Sequence, residues 1–285
     1  MQLLDGKLVA AQIKAELKNE VDLALAAGKR PPHLVAIIVG TNAASQTYVA
    51  SKARNSEAIG IKSSVIELPE DTSEATLLAQ IEQLNNDDSV DGFIVQLPLP
   101  KHIDETKIIF AIRPDKDVDG FHPVNIGKMV LGNETAFIPA TPMGIMEILK
   151  RYPIETKGKN AVVVGRSNIV GTPVAILLSR NTPAGNCTVT LTHSHTKNLK
   201  ELCLQADILV AAIGKKHFIT ADMVKPGAVV IDVGINREEK KIYGDVDFEN
   251  VAPKCSYITP VPGGVGLMTI VSLLQNTLKS YQLKN

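Results

Sequence analysis

The sequence of 285 residues has no charge excess: Lys plus Arg total 30 and Asp plus Glu total 30, leaving a formal charge of zero. Proteins that hold nucleic acid or an anionic membrane surface show a basic surplus or a clustered basic stripe, so the balance argues against both partners. Long apolar runs are missing too. The longest, residues 34–39 and 208–213, are strand-sized and far short of the ~20 residues of a membrane span. No secretory leader is expected, because Asp5 and Lys7 interrupt the opening residues before an apolar segment develops. Cysteine is scarce. Cys187, Cys203 and Cys255 are odd in number and widely spaced with no CxxC pair, which excludes a disulfide framework and a zinc site and points to reduced thiols in the cytoplasm. Internal repeats and low-complexity segments are absent.

What is present is the composition and pattern of a folded α/β chain. The hydrophobic fraction of 45% is ordinary for a globular protein, and the length suggests two domains at roughly 150 residues each. Helical and strand patterns alternate throughout. Apolar residues at helical spacing (Val9, Ile13, Leu17, Val21) predict a helix over residues 6–28, and β-branched residues predict a strand over 33–40. Helix, strand and helix are expected over 43–60, 62–68 and 73–86, with Ser73 as N-cap. A strand over 90–97 runs into Pro98 and Pro100, which cannot continue a central ladder, and a helix over 104–112 follows. Beyond Pro142 the pattern repeats: helix 142–151, strand 160–164, helix 172–180, strand 188–192, helix 199–205, strand 207–213, helix 221–224, strand 228–233 and a last helix over 269–282. Strands separated by helices predict a mostly parallel sheet covered on both faces, in two α/β units joined near residue 140.

The strand at 160–164 ends in Gly165-Arg166-Ser167-Asn168-Ile169-Val170-Gly171 and opens into a helix. Glycine in such a turn lets backbone approach a pyrophosphate, and free N–H groups at a helix start favour an anion. The spacing is not G-x-G-x-x-G, and similar turns occur without a ligand. NAD-binding versions place an acidic residue about 20 residues on, at the end of the second strand. Here that strand ends Thr192-His193-Ser194-His195 with no carboxylate. A hydroxyl, two histidines and Arg166 suit a ribose phosphate, which favours NADP over NAD. The rival reading is a metal pair at His193 and His195, facing one side as alternate strand residues. No Cys, Asp or Glu stands near them in sequence, so no metal is expected. Ile213-Gly214 and Gly234-Ile235 terminate later strands, where ligands of such sheets bind.

In the first unit Tyr48 and Lys52 lie four apart and share a helix face; an ordinary surface helix shows such pairs as well. Val95-Gln96-Leu97-Pro98 closes a buried strand, and a glutamine there needs hydrogen-bond partners that a pocket supplies. Lys116-Asp117-Val118-Asp119-Gly120 has the start of a calcium loop, but Ile126 stands where that loop needs Glu. A carboxylate-rich turn, or a carboxylate that grips a polar heterocycle, remains. Pro262-Gly263-Gly264-Val265-Gly266 forms either a backbone nest beside a cleft or a flexible hinge.

Together these five motifs, in order and across essentially the whole chain, resemble the bifunctional methylenetetrahydrofolate dehydrogenase/methenyltetrahydrofolate cyclohydrolase (FolD-type) family. The resemblance implies an N-terminal α/β folate-binding catalytic domain (1–140), a Rossmann-type NADP-binding domain (141–267) and a C-terminal helix (268–285) returning to the catalytic domain. It implies Lys52 as the catalytic lysine with Tyr48, Gln96 and Asp119 in the catalytic set. The folate, a one-carbon derivative of tetrahydrofolate, would meet Tyr48, Lys52, Val95, Gln96, Leu97, Asp119 and Pro262, Gly263, Gly264, Val265 and Gly266, with Asp119 anchoring the pterin. NADP would meet Gly165, Arg166, Ser167 and Ser194, with Ile235 near the nicotinamide. Members are usually homodimers. One departure is Leu267, where the family usually has proline after the glycine loop, which bears on the loop's stiffness. A chain ending at this length leaves no room for the formyl-ligase domain of some relatives, so no third activity is expected. A shikimate-dehydrogenase-like oxidoreductase also pairs a substrate unit with an NADP unit. The Tyr48/Lys52 pair with Gln96 and the second glycine loop discriminates against it. A nucleotide-sensing module would not require Lys52, Gln96 and Asp119 together. A dehydrogenase without the hydrolytic step stays open.

Overall fold

A computed structural model describes residues 1–239 and 241–284; positions 240 and 285, inside the expected nucleotide and C-terminal segments, lie outside the described residues. The chain opens with β1 (Gln2–Leu3) and α1 (Gly6–Ala26). Next come β2 (His33–Val39), α2 (Ala43–Glu57), β3 (Lys62–Leu68), α3 (Glu74–Asn86), β4 (Gly92–Val95), α4 (Glu105–Ala111) and α5 (Pro123–Val130). A second series holds α6 (Ala140–Arg151), β5 (Asn160–Val164), α7 (Gly171–Ser179), β6 (Thr188–Thr192), α8 (Leu199–Leu204), β7 (Ile208–Ala211) and β8 (Val229–Asp232). It ends with β9 (Asn236–Glu238), β10 (Lys241–Tyr243), α9 (Phe248–Val251), β11 (Tyr257–Ile258) and α10 (Val265–Lys284). The chain forms two compact units, one of residues 12–138 and 273–285, the other of residues 1–11 and 139–272.

The first of these units is built on a parallel sheet of order β3-β2-β4. All seven residues of β2 are buried, as the continuous apolar run of a central parallel strand requires. β3 is an edge strand and alternates in exposure. Val35, Ile37, Val39, Phe93 and Val95 pack on Leu77 and Ile81 of α3 and Ile108 of α4. Because β3 and β4 flank β2 on opposite sides, the chain reverses direction across β2. Open parallel sheets bind ligands at the carboxyl ends of strands at such a switch, which is where α2 begins and Gln96 follows β4. Ser73 caps α3 as expected, accepting from the Thr76 amide at 3.1 Å.

The other unit holds a six-stranded parallel sheet of order β1-β11-β8-β7-β5-β6. β6 and β7 flank β5, so its switch point falls at the end of β5, where the glycine turn begins. Val162, Val164, Leu209, Ala211, Val230 and Ile258 form the core. Pairing of Gln2 and Leu3 with Tyr257 and Ile258 places the opening residues in this sheet. β9 and β10 form an antiparallel hairpin.

Several elements differ from their sequence expectation. β4 stops at Val95, where its pairing with Ile37 ends. The segment at 221–224 is one 3-10 turn, Ala221–Met223. The last helix begins at Val265, four residues early, so Gly266 and Leu267 lie in its first turn. α5 was not anticipated; Pro123 starts it and the His122 ring accepts the Val124 amide at 3.1 Å. No helix among the described residues is long and apolar enough to cross a membrane. The three cysteines are free and buried, and burial pushes each thiol up to about 11.

Asn276, buried on α10, donates to the carbonyls of Val118 at 2.8 Å and Ile138 at 2.9 Å. Losing the amide leaves one buried and one part-buried carbonyl without that partner. Asn276→Leu is therefore expected to cost about 1–3 kcal/mol, read as a lower urea midpoint at unchanged slope.

Candidate active site

Asn42 follows β2 and caps α2, accepting from the Ser45 amide at 3.0 Å. That fixes the helix carrying Tyr48 and Lys52. Val49 and Ser56 bury one side of it, and Lys52 is drawn inward with them to 7% exposure. The Lys52 ammonium donates to the Gln96 Oε1 at 3.1 Å and sits 4.9 Å from the Tyr48 ring centroid. Gln96 is oriented in turn by its amide N–H, which donates to the Leu97 carbonyl at 2.8 Å. Of the residues flanking Gln96, Val95 is buried and Leu97 half-buried. Three of the four expected catalytic groups thus meet directly, as a cation resting on a neutral amide oxygen and an aromatic face.

The fourth, Asp119, is coupled to Lys52 through charge. Burial holds the lysine below its ordinary value, and the Asp119 carboxylate opposes that shift. Burial raises the Asp119 carboxyl, and Lys52 pulls it back. Although part of the Asp119 surface stays accessible, protein atoms surround its carboxyl closely, and that desolvation is the larger effect.

The structure separates the three charged side chains of the 116–119 segment. Lys116 donates to the Leu84 and Asp87 carbonyls, both at 2.6 Å, closing the end of α3. Asp117 accepts from the His122 amide and the Asn125 side chain, each at 2.8 Å, which ties α5 to the loop. Burial pushes its carboxyl up to about 7 against those hydrogen bonds. Lys116 and Asp117 are committed to the scaffold, whereas the charge partner of Asp119 is Lys52. Their neighbouring positions alone did not distinguish them.

In the six-stranded unit, Gly165 directly follows β5 at φ 113°, a left-handed conformation that favours glycine. A Cβ on Gly171 would lie 1.9 Å from the Gly165 carbonyl oxygen, so helix and turn touch backbone to backbone. Ser167 Oγ accepts from the Val170 and Gly171 amides at 3.2 and 3.4 Å. A cavity of about 360 Å3 at this turn is lined by Gly165, Arg166, Ser167, His193 and Ser194, and by Ile213 and Lys215 from the end of β7. Its wall holds no carboxylate and two cationic side chains, a donor set that suits a phosphorylated ribose. Lys215 was not singled out in sequence; a lysine directly after a strand-ending glycine was the available signal. β6 stops at Thr192, so the strand-alternation argument for a His193/His195 metal pair does not apply. His193 Nδ1 instead accepts the His195 amide at 3.2 Å.

Ile235 is 57% exposed and shares a second cavity, about 170 Å3, with Pro262, Gly263, Gly264, Val265, Gly266 and Leu267. The glycine loop is pinned: the Gly6 amide donates to the Gly263 carbonyl at 2.9 Å. The Leu267 amide donates to the Gly264 carbonyl at 3.3 Å, a bond that proline has no N–H to make.

A glycine turn whose cavity suits a phosphorylated dinucleotide is the mark of a nicotinamide-nucleotide enzyme, and the other unit holds a buried lysine beside a neutral amide. Family comparison agrees. Residues 4–119 match the tetrahydrofolate dehydrogenase/cyclohydrolase catalytic domain, and residues 139–285 the NAD(P)-binding domain of the same family. The chain belongs to the tetrahydrofolate dehydrogenase/cyclohydrolase family. The bifunctional protein FolD of Cytophaga hutchinsonii is 58% identical over the full length of both chains. The Campylobacter jejuni FolD crystal structure superposes with a TM-score of 0.96 at 52% identity, covering 100% of both chains. The Trypanosoma brucei enzyme, complexed with NADP and an inhibitor, gives 0.91 at 37% identity, covering 98% of this chain and 96% of that one.

Gly171→Ala is expected to force helix and turn apart and weaken NADP binding at least about tenfold, measured by fluorescence titration. Unchanged affinity would remove the backbone contact from the nucleotide site.

Proposed function

We propose that the protein oxidises methylenetetrahydrofolate to methenyltetrahydrofolate with NADP, then hydrolyses that product to formyltetrahydrofolate, with Lys52 as acid and base of the second step. Arg166, Ser167, Ser194 and Lys215 would hold the nucleotide, Arg166 and Lys215 answering the ribose phosphate. When bound, NADP supplies the acceptor for the hydride that leaves the one-carbon bridge. No proton must move there, because the flanking folate nitrogens stabilise the cation that remains; the protein's task is positioning.

Hydrolysis is different. Water adds to the methenyl carbon, its proton must leave oxygen, and a proton must reach the departing nitrogen. An ordinary lysine of pKa about 10.4 is neutral in roughly one molecule in a few thousand at pH 7. The observation that carries this reading is the burial of Lys52 against a neutral partner, which lowers its pKa and enlarges the neutral fraction. A cationic folate beside it would lower that value further. Lys52 then takes the first proton from water and passes it to the nitrogen as the carbon–nitrogen bond breaks, while the hydroxyl proton of the adduct leaves to solvent as the formyl carbonyl forms, so one proton is released overall. Asp119 suits the pterin: its carboxylate can accept from an amino group and a ring N–H side by side. The same reading places the enzyme in the cytoplasm as a homodimer; the buried free thiols accord with a reducing compartment.

The sign of the pH effect follows. The neutral amine is the base, so cyclohydrolase kcat should rise with pH and level off above the lowered Lys52 value. Lys52→Met should remove that rise and the cyclohydrolase rate, while sparing more of the dehydrogenase rate. Equal loss of both rates with folate binding intact would overturn this division of labour.

A further inference from the structure

The carboxylate of Asp245, between β10 and α9, is buried completely. Among the described residues, no cationic side chain hydrogen-bonds to it. Its Oδ2 accepts from the backbone amides of Ile213 and Gly214 at 2.7 and 3.0 Å. Its Oδ1 accepts from the Lys215 amide at 2.8 Å and the Asn236 side chain at 3.0 Å. Three successive N–H groups converging on one point make a concave anion site, and here the chain fills it with its own carboxylate. The approach is close enough that a Cβ on Gly234 would lie 2.2 Å from Oδ1.

The segments gathered in this way follow β7 and β8, and both border cavities of the nucleotide unit. Ile213 and Lys215 wall the 360 Å3 cavity opposite the Gly165–Ser167 turn. Asn236 adjoins Ile235, which lines the second cavity. Asp245 is itself fixed from behind. Its amide donates to Asp232 Oδ1 at 2.9 Å, and Asp232 also accepts the Gly234 and Val246 amides at 2.9 and 3.0 Å.

We propose that Asp245 is a positioning residue for the nicotinamide cofactor. It lines neither cavity, but holds the loops after β7 and β8 in the arrangement that binds the nucleotide. An asparagine in its place would turn an NH2 group toward two donors and release one side of the cluster. The role rests on the dehydrogenase reading above, whereas hydrolysis of added methenyltetrahydrofolate consumes no nucleotide and provides an internal measure of an intact fold.

The test is NADP titration of wild type, Asp245→Asn and Asn236→Ala, each assayed in parallel for hydrolysis of methenyltetrahydrofolate. Asp245→Asn should weaken NADP binding at least about tenfold, and Asn236→Ala by a few-fold, with hydrolysis within about twofold of wild type. NADP affinity within twofold of wild type in a folded Asp245→Asn would overturn the proposal. So would a proportional loss of binding and hydrolysis, which marks a merely structural residue. If Asp245→Asn does not fold, Asn236→Ala decides: a selective loss of affinity supports the role and an unchanged affinity refutes it. A wild type that binds no NADP would instead refute the dehydrogenase reading.

Discussion

The site depends on one buried amine. Lys52 reaches the interior because α2 is capped at Asn42 and buries Val49 and Ser56 on the face that also carries Lys52, which meets Gln96 just after β4. An ammonium there loses most of its hydration and regains one hydrogen bond from a neutral amide oxygen, Gln96 Oε1. A carboxylate at that position would have held the proton on and made a stable ion pair. A neutral partner does not oppose the downward shift that burial imposes, and Asp119 moderates that shift without cancelling it. The surrounding scaffold then serves to keep Asp119 in range: Lys116 closes α3, Asp117 secures α5, and Asn276 holds the Val118 carbonyl.

The nucleotide unit solves a different problem with backbone. It needs loops stiff enough to present N–H groups and cations to a polyanion without carrying a competing negative charge. The wall of the 360 Å3 cavity is accordingly free of carboxylates, while two buried ones act as hydrogen-bond hubs nearby: Asp245, and Asp232, which also lines the 170 Å3 cavity. Burial raises Asp232 to about 6, and its N–H donors act against that rise. Here buried carboxylates organise the loops around a pocket whose own wall carries none.

The parts legible in sequence were those set by local pattern. β3, β5 and β6 match residue for residue, because β-branched runs there are bounded by turn residues. The parallel sheets follow from the alternation of strand and helix, and the meeting of Tyr48, Lys52 and Gln96 from motif and resemblance together. What escaped depends on distant partners. Two-residue strands such as β1 and β11 carry no periodicity and exist only as neighbours of a larger sheet. The start of α10 hid inside a glycine-rich run that reads as loop. Asp245 looks like any acidic residue in a turn until the fold brings three amides to it, and the distinct roles of Lys116, Asp117 and Asp119 appear only once their separate partners are known.

The most direct measurement is the titration of the Lys52 amine itself, followed by NMR in lysine-labelled protein and assigned by difference from Lys52→Met. The account predicts a midpoint below the ordinary lysine value of about 10.4, the other lysine signals serving as internal reference. A midpoint at or above that value would contradict it, because the buried amine would then hold its proton too firmly to serve as the base.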